Sequence, residues 1–415
     1  MQNSWDKLDN AANIFPAAVR KADPKVFRLS CELHEEVDPT VLQTALDETM
    51  QIFRVFKRVL RKGAFWYYLE YTDATPVAHP EDREPCAPLS KYASKHLLFD
   101  VSYYRNSIHL EIYHVLADGT GALHFLQTLV TKYLCKKHGL MEPPQDTFAS
   151  DEQMNDDSFL KYYTGSQNVH PLNWKAAYKL RGFHYPEHRI KVITGLMSTK
   201  AVLDAAHSHR TTLTAYLCTC LLLAIYRVAP TRAAKKPVVL TVPVNLRKHF
   251  PSQSARNFFS VLPIPYDFGK SADTFASVLK KVEWELTDGL SIENLRRSIN
   301  TNSAVEHNPF ARVVPLFLKN YALQFLYFCS TLQETAGLSN IGAVDMPKEL
   351  KPYIRSFGMI NSTEKLQACV CSFGDVLNIS FTSPIIRPDV QRVFFRMLTA
   401  QGIAVEINTN PIDYR

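Results

Sequence analysis

Apolar positions recur along this 415-residue chain with two periods, and the switches between them mark out the elements. Phe27–Leu33 alternates as a strand. Asp38 then caps a helix that opens with Pro39, and Val41, Leu42, Ala45, Leu46, Phe53 and Val55 follow at helical spacing until Gly63 ends it. Phe65–Tyr71 is aromatic and strand-like, and His96–Tyr104 and Ser107–Tyr113 read as two strands turning at Asn106. A helix from Gly119 to Lys137 carries Leu123, Leu126, Leu129, Val130 and Tyr133 on its apolar face, and Gly139 closes it.

From Met141 to His188 the periodicity fades and Pro, Asp, Asn and Gln accumulate, as an interdomain crossover requires. The pattern then restarts. Ser198 caps a short helix, Thr212–Val228 is an apolar helix, and Val238–Val244 and Phe259–Tyr266 are strands. Helices are expected over Ala272–Thr287 and Ala311–Leu332. Glu364–Phe373 and Val376–Thr382 pair through the Gly374-Asp375 turn, and a helix from Pro388 to Gln401 precedes a strand at Ile403–Ile407. Each half thus mixes strands with covering helices. The expectation is an α+β fold of two similar lobes: residues 1–140, a crossover over 141–190, and a second lobe over 191–415.

Composition narrows the function. Hydrophobic residues are 46% and charged residues 21%, which is globular. Glycine is scarce, and neither G-x-G-x-x-G nor G-x-x-x-x-G-K occurs, which removes the common phosphate-cradling nucleotide folds. The longest apolar run, Ala215–Tyr226, is too short for a membrane span, and the N-terminus lacks a leader-like apolar stretch, so no integral membrane segment and a cytoplasmic location are expected. Eight scattered cysteines without zinc spacing read as free, buried thiols. The net charge of +7 is modest. Its densest stretch, Arg54, Lys57, Arg58, Arg61 and Lys62, reads as the solvated face of a helix, not as a nucleic-acid surface. The aromatic stretches Phe65–Tyr68 and Phe325–Phe328 could line a tunnel, but core packing is the expected use.

The segment with chemistry is His114-Val-Leu-Ala-Asp118-Gly119. A histidine at a strand exit can be held by its loop with one nitrogen facing substrate, as a general base requires. Asp118 is placed to cap the following helix or to anchor a salt bridge, and Gly119 leaves room for substrate. Alone, such a motif is more often a structural histidine before an ordinary helix entry. Pro243-Val-Asn245-Leu-Arg247 leaves a strand in the second half, where Arg247 could pair bidentately with Asp118 or simply join the basic run Arg247-Lys248-His249. Asn257 and Asn340, the latter in Ser339-Asn340-Ile-Gly342 after a strand-like piece, are candidate substrate or oxyanion ligands and equally candidate turn formers. A metal site on His109, His114, Asp118 and His124 is disfavoured, because His109 and His114 lie an odd number apart on a strand and face oppositely.

This ordered set resembles the chloramphenicol acetyltransferase-like superfamily: alcohol acetyltransferases, polyketide-associated acyltransferases and the condensation domains of nonribosomal peptide synthetases. The resemblance runs from about Phe27 to Ile407. It implies a pseudo-dimer of two lobes with an active-site tunnel between them. It further implies His114 as general base, Asp118 and Gly119 as structural parts of the site with Arg247 as Asp118's partner, and Asn257, Ser339 and Asn340 near substrate. No metal and no bound cofactor are implied; acyl-CoA, as acetyl-CoA, is the co-substrate. Tyr113 replaces the histidine that precedes the catalytic one in many relatives, and the plant branch's D-F-G-W-G is absent. With no synthetase module in the chain, an acyl-CoA donor and a small alcohol acceptor are favoured. An amine acceptor or an acyl carrier protein as donor is the alternative, and a non-catalytic binding protein of the same fold the third reading.

Overall fold

Two mixed β-sheets, each covered by helices, organise the chain. The computed structural model describes residues 5–89, 97–143, 149–165, 176–186, 189–230, 236–308 and 312–411. The first sheet uses β2 (Val26–Leu33), β5 (His79–Pro80), β6 (Phe99–Tyr104), β7 (Ser107–Tyr113) and β12 (Ile354–Asn361) in the order β12-β2-β7-β6-β5. Only the β5–β6 pair in it is parallel. The second uses β8 (Lys191–Ser198), β9 (Val238–Asn245), β10 (Phe259–Tyr266), β11 (Ala336–Ala343), β13 (Leu366–Phe373), β14 (Val376–Ser383) and β15 (Glu406–Thr409). Their order is β10-β9-β11-β13-β14-β8-β15, with β11 parallel to both neighbours. A small sheet pairs β4 (Tyr67–Tyr71) with β1 (Trp5–Lys7) and β3 (Arg58–Lys62).

Capping chemistry starts the helices where the sequence places them. Asp38 accepts from Thr40 N and Val41 N at the start of α1 (Pro39–Ile52). Gly139, at φ +62°, closes α2 (Gly119–His138), a conformation that suits glycine. Ser198 caps α3 (Thr199–Ser208) and Thr212 caps α4 (Leu213–Val228), which is buried all round from Ala215 to Ile225. The remaining long helices are α5 (Phe275–Gly289), α6 (Ile292–His307), α7 (Leu316–Leu332) and α8 (Asp389–Thr399). Helices α1 and α2 share one core with the first sheet, and α4, α5 and α8 share another with the second. No single helix among the described residues is long and apolar enough to cross a membrane. All eight cysteines are free and buried.

Four departures matter. The first helix ends at Ile52, not at Gly63, because Phe53, Val55 and Phe56 turn into the core. The basic run that follows lies largely on β3, where Arg58 pairs with Asp6 (2.8 Å) and Arg61 with Glu70 (2.6 Å), so it is no helical face. The second half does not keep to its own sheet: β12 pairs with β2, and Phe357 on it packs against Phe373 of β13, stitching the two layers together. Finally, Phe65, Phe325 and Phe328 are 47–61% exposed rather than core residues. Residues 144–148, 166–175 and 187–188 of the expected crossover, His96 of an expected strand and Ala311 of an expected helix lie outside the described residues. The described part of the crossover is anchored to the second half, through Ala255 N to Met154 O (2.9 Å) and Ser254 Oγ to Asp156 O (2.7 Å).

Candidate active site

His114 is the first residue beyond β7. Its backbone N–H donates to Lys25 O (2.9 Å), itself held in left-handed backbone at φ +60°. The half-buried imidazole stacks on Phe15 (centroids 4.7 Å) and touches Phe27 (4.8 Å) and Phe259 (5.7 Å). Its Nδ1 lies 3.2 Å from Asn257 Oδ1. The Asn257 amide has only one orientation that satisfies its surroundings, since Nδ2 donates to Asp9 Oδ2 (3.2 Å) and to His114 O (3.0 Å), both acceptors. The atom facing the ring is therefore the amide oxygen, so Nδ1 carries the proton and Nε2 is the basic nitrogen. Burial pulls the His114 pKa below the ordinary imidazole range, against the smaller opposing effects of the Asn257 hydrogen bond and the Asp118 charge.

Asp9 anchors this chain from the N-terminal segment. It is fully buried and accepts from Ala12 N (2.7 Å) and Asn257 N (3.3 Å), with Arg256 Nε 3.6 Å away. Burial outweighs these partners and pushes its pKa up to about 6.

Asp118 does two jobs at once. One oxygen caps α2, accepting from Thr120 N and Gly121 N at 3.1 Å each. The other accepts from Arg247 Nη1 (2.6 Å) and Phe258 N (2.8 Å). The contact with Arg247 is thus through one oxygen and not bidentate, because the cap occupies the other. Arg247's other N–H groups go to Ser254 O and Arg256 O, and more weakly to Phe258 O and Asn245 Oδ1. A Cβ on Gly119 would meet only Ile341 Cγ2 at 3.6 Å and Met359 Cε at 3.8 Å, which is ordinary contact. The close approach is at Gly121, where a Cβ would sit 2.0 Å from Ala255 O.

His114, Asp118 and Gly119 line a cavity of about 1020 Å³ whose opposite wall comes from the second half, including Thr214, Ser339 and Asn340. Asn257 and Arg247 are not among the lining residues, and Asn257 is buried with its amide on His114. Ser339 and Asn340 lie within β11, not after it. Asn340 Nδ2 donates to Thr214 Oγ1 (3.0 Å) and its Oδ1 accepts from Gly342 N (2.9 Å), across a bulge where Gly342 has φ +87°. Thr214, having accepted that bond, keeps its own O–H to donate. The lining also includes His207, Arg210, Lys248 and His249, together with the carboxylate Glu283. His109 is turned to Ser30 Oγ (2.8 Å), and no group of three metal-ligating side chains occurs among the described residues. Asp9, Phe15, Gly121 and Thr214 were not singled out from sequence. Of these, Gly121 alone has a local sequence signal, its spacing two residues after Gly119.

No protein-family model and no curated protein matches the sequence. Solved structures do match over nearly the whole chain. Polyketide synthase associated protein 5 from Mycobacterium tuberculosis is 15% identical, with 95% of this chain and 96% of that one covered and a TM-score of 0.60. The starter condensation domain of rhizomide synthetase, a variant in complex with C8-CoA, is 16% identical over 96% and 95%, with a TM-score of 0.63. The trichothecene 15-O-acetyltransferase of Fusarium sporotrichioides is 10% identical over 96% and 94%, with a TM-score of 0.59. Likeness at this identity speaks for the fold, and the chain has the two-lobed, chloramphenicol acetyltransferase-like α+β fold of these condensation and acetyltransferase proteins.

Proposed function

We propose that the protein is an acyltransferase that moves an acyl group from a CoA thioester to an alcohol hydroxyl, with His114 as general base and no covalent acyl-enzyme. The observation that carries this reading is the Asp9–Asn257–His114 chain, which leaves an unprotonated Nε2 at the wall of a cavity shared by both halves. His114 takes the hydroxyl proton as the acceptor oxygen attacks the thioester carbonyl. The tetrahedral oxyanion then collapses, the carbon–sulfur bond breaks, and the CoA thiolate recovers the proton from the imidazolium. The Thr214 and Ser339 hydroxyls are the wall donors for the substrate. Asp118 holds the loop through Arg247 and takes no proton. His207, Arg210, Lys248 and His249 suit the phosphates of a CoA donor, which would enter from that side of a tunnel while the acceptor enters from the other. The C8-CoA complex and the O-acetyltransferase of the same fold support donor and acceptor class respectively.

A second reading, transfer from a carrier protein or to an amine, is favoured by the polyketide-associated and condensation proteins of the same fold. Chromatographic detection of free CoA from acetyl-CoA with a panel of alcohols and amines separates the two. In the reading preferred here, CoA release requires an alcohol, and His114→Ala lowers turnover at least 10²-fold, the lower end of general-base contributions, with the fold intact. Near-normal turnover by that variant would remove His114 from the reaction. Release that needs an amine or an acylated carrier protein would select the second reading.

A further inference from the structure

Helix α7 reverses the usual arrangement of a surface helix. Its outward stripe is Phe317, Tyr321, Phe325, Phe328 and Leu332, spaced three to four residues apart and 39–70% exposed, with Leu318 and Leu326 beside it. Three of its polar side chains, Lys319, Asn320 and Tyr327, are spent on the body of the protein. Lys319 Nζ lies 3.3 Å over the Trp66 ring and donates to Phe65 O (3.0 Å), Asn320 Nδ2 donates to Tyr67 Oη (2.9 Å), and Tyr327 Oη meets Lys25 Nζ. Leu316 N donates to Ala64 O (2.9 Å), which fastens the start of the helix to the β3–β4 turn, where Phe65 is 47% exposed. None of the stripe residues lines the cavity, so the catalytic reading does not account for them.

Charge decides the occupant. From Asn308 to Gln333 the sequence has no Asp or Glu, and its charged residues are Arg312 and Lys319. Exposed Lys62 stands one residue before the β3–β4 turn. An aromatic and aliphatic stripe on a segment whose charges are all cations, with the nearest acids, Glu334 and Glu70, paired to Lys365 and Arg61, matches the boundary between lipid headgroups and acyl chains. A protein partner or second copy calls for a rim of both signs with hydrogen-bonding groups, and here Tyr321, Gln324 and Ser330 are the exposed polar groups of the helix. The inner face of α7 reaches the catalytic loop in two steps: Tyr327 meets Lys25, and Lys25 O holds His114 N.

We propose that α7, with the tip of the β3–β4 hairpin, is a docking face for a lipid surface bearing anionic headgroups. The face holds the protein at the membrane with the His114 loop one layer behind it, where an acyl donor or acceptor that partitions into lipid is concentrated.

The test is sedimentation of the full chain with sucrose-loaded vesicles, which reads binding whether or not the acyl-transfer reading stands. One set is phosphatidylcholine alone and the other contains about one quarter phosphatidylglycerol. Binding to the anionic vesicles is expected, at least about fivefold weaker on phosphatidylcholine and weakened by added salt. The double variant Tyr321→Ser with Phe325→Asp should lose at least about tenfold of it while keeping the wild-type unfolding midpoint. No sedimentation with either vesicle would overturn the proposal, as would binding that the double variant retains. Equal binding to both vesicles would overturn the anionic assignment. A dimer in analytical ultracentrifugation that the variant abolishes, with no vesicle binding, would give the face to a second copy.

Discussion

Replacing Gly121 with alanine sets two effects of opposite sign against each other. Gly121 lies in the first turn of α2, and on helix propensity alone alanine gains about 1 kcal/mol. The added Cβ, however, falls 2.0 Å from Ala255 O and 2.9 Å from its carbonyl carbon. A carbon–oxygen contact settles at about 3.3 Å, so the chains must part by roughly 1.3 Å. The Ser254–Phe258 segment cannot simply recede. Arg247 holds the carbonyls of Ser254 and Arg256, Met154 O holds Ala255 N, and Asp118 holds Phe258 N. Overpacking costs about 1–3 kcal/mol and a weakened buried charged hydrogen bond about 1.5–3 kcal/mol, so a net loss of about 3 kcal/mol is expected. With about 2.1 cal/mol/K of unfolding entropy per residue, that lowers Tm by roughly 3 °C if all 415 residues unfold together, and by more if a lobe unfolds alone. Scanning calorimetry reads it. The control is Gly119→Ala, whose Cβ has ordinary neighbours and whose Tm should stay within about 1 °C or rise. Turnover should fall with Gly121→Ala, because the Asp118 anchor moves. A Tm for Gly121→Ala at or above wild type would refute the close approach and the anchoring drawn from it.

Two further expectations concern His114. Asn257→Ala removes the acceptor of the Nδ1 proton without touching the cavity wall, so kcat should drop about 10- to 100-fold with KM nearly unchanged; nitrogen-15 spectra showing the Nδ1–H tautomer undiminished in the variant would contradict the assigned role. Burial disfavours the imidazolium and so extends the neutral, basic form to lower pH, placing the acid limb of kcat/KM below the 6.5 of an ordinary imidazole. Protonation of Asp9, at about 6, weakens the acceptor behind Asn257 and steepens that limb; a midpoint at or above 7 would count against burial as the controlling effect.

Legibility followed the range of the interaction. Asp38, Ser198, Thr212 and Gly139 act within a few residues, and the helix ends they specify stand where the sequence places them. His114, Asp118 and Gly119 were legible because strand exit, cap and glycine are neighbours in the chain. Arg247 was legible as Asp118's partner only through the ordered resemblance, since nothing local distinguishes it from Lys248. Asp9 was not legible. Its role depends on Asn257, 248 residues away, and no periodicity marks the segment that carries it. β12 was missed because Arg355, Gly358 and Asn361 interrupt its apolar pattern, and α6 because Ile292–His307 is polar around most of its circumference. Phe53 and Val55 misled by keeping helical spacing past the end of α1, whereas burial of Phe53 and Phe56 fixes the turn. The aromatic runs misled for a different reason: sequence reports that a face is apolar, not whether this chain covers it.

The same distances explain why the motif alone could not carry the function. His114 and its backbone tie to Lys25 belong to the first half, but what orients the ring comes from the second: Asn257 on Nδ1 and Phe259 against the face. What holds Asp118 comes from there as well, through Arg247 and the N–H of Phe258. In return, Asp9 fixes the Asn257 amide, and β2 pairs with β12 from the far end of the chain. Neither half supplies both the imidazole and the group that decides which of its nitrogens is protonated. A first lobe cut off near residue 140 would keep the H-x-x-x-D-G sequence and lose the acceptor that fixes the tautomer. The tautomer of His114 is therefore a property of how the two halves dock, and the docking contacts, more than the motif, are what this site is built from.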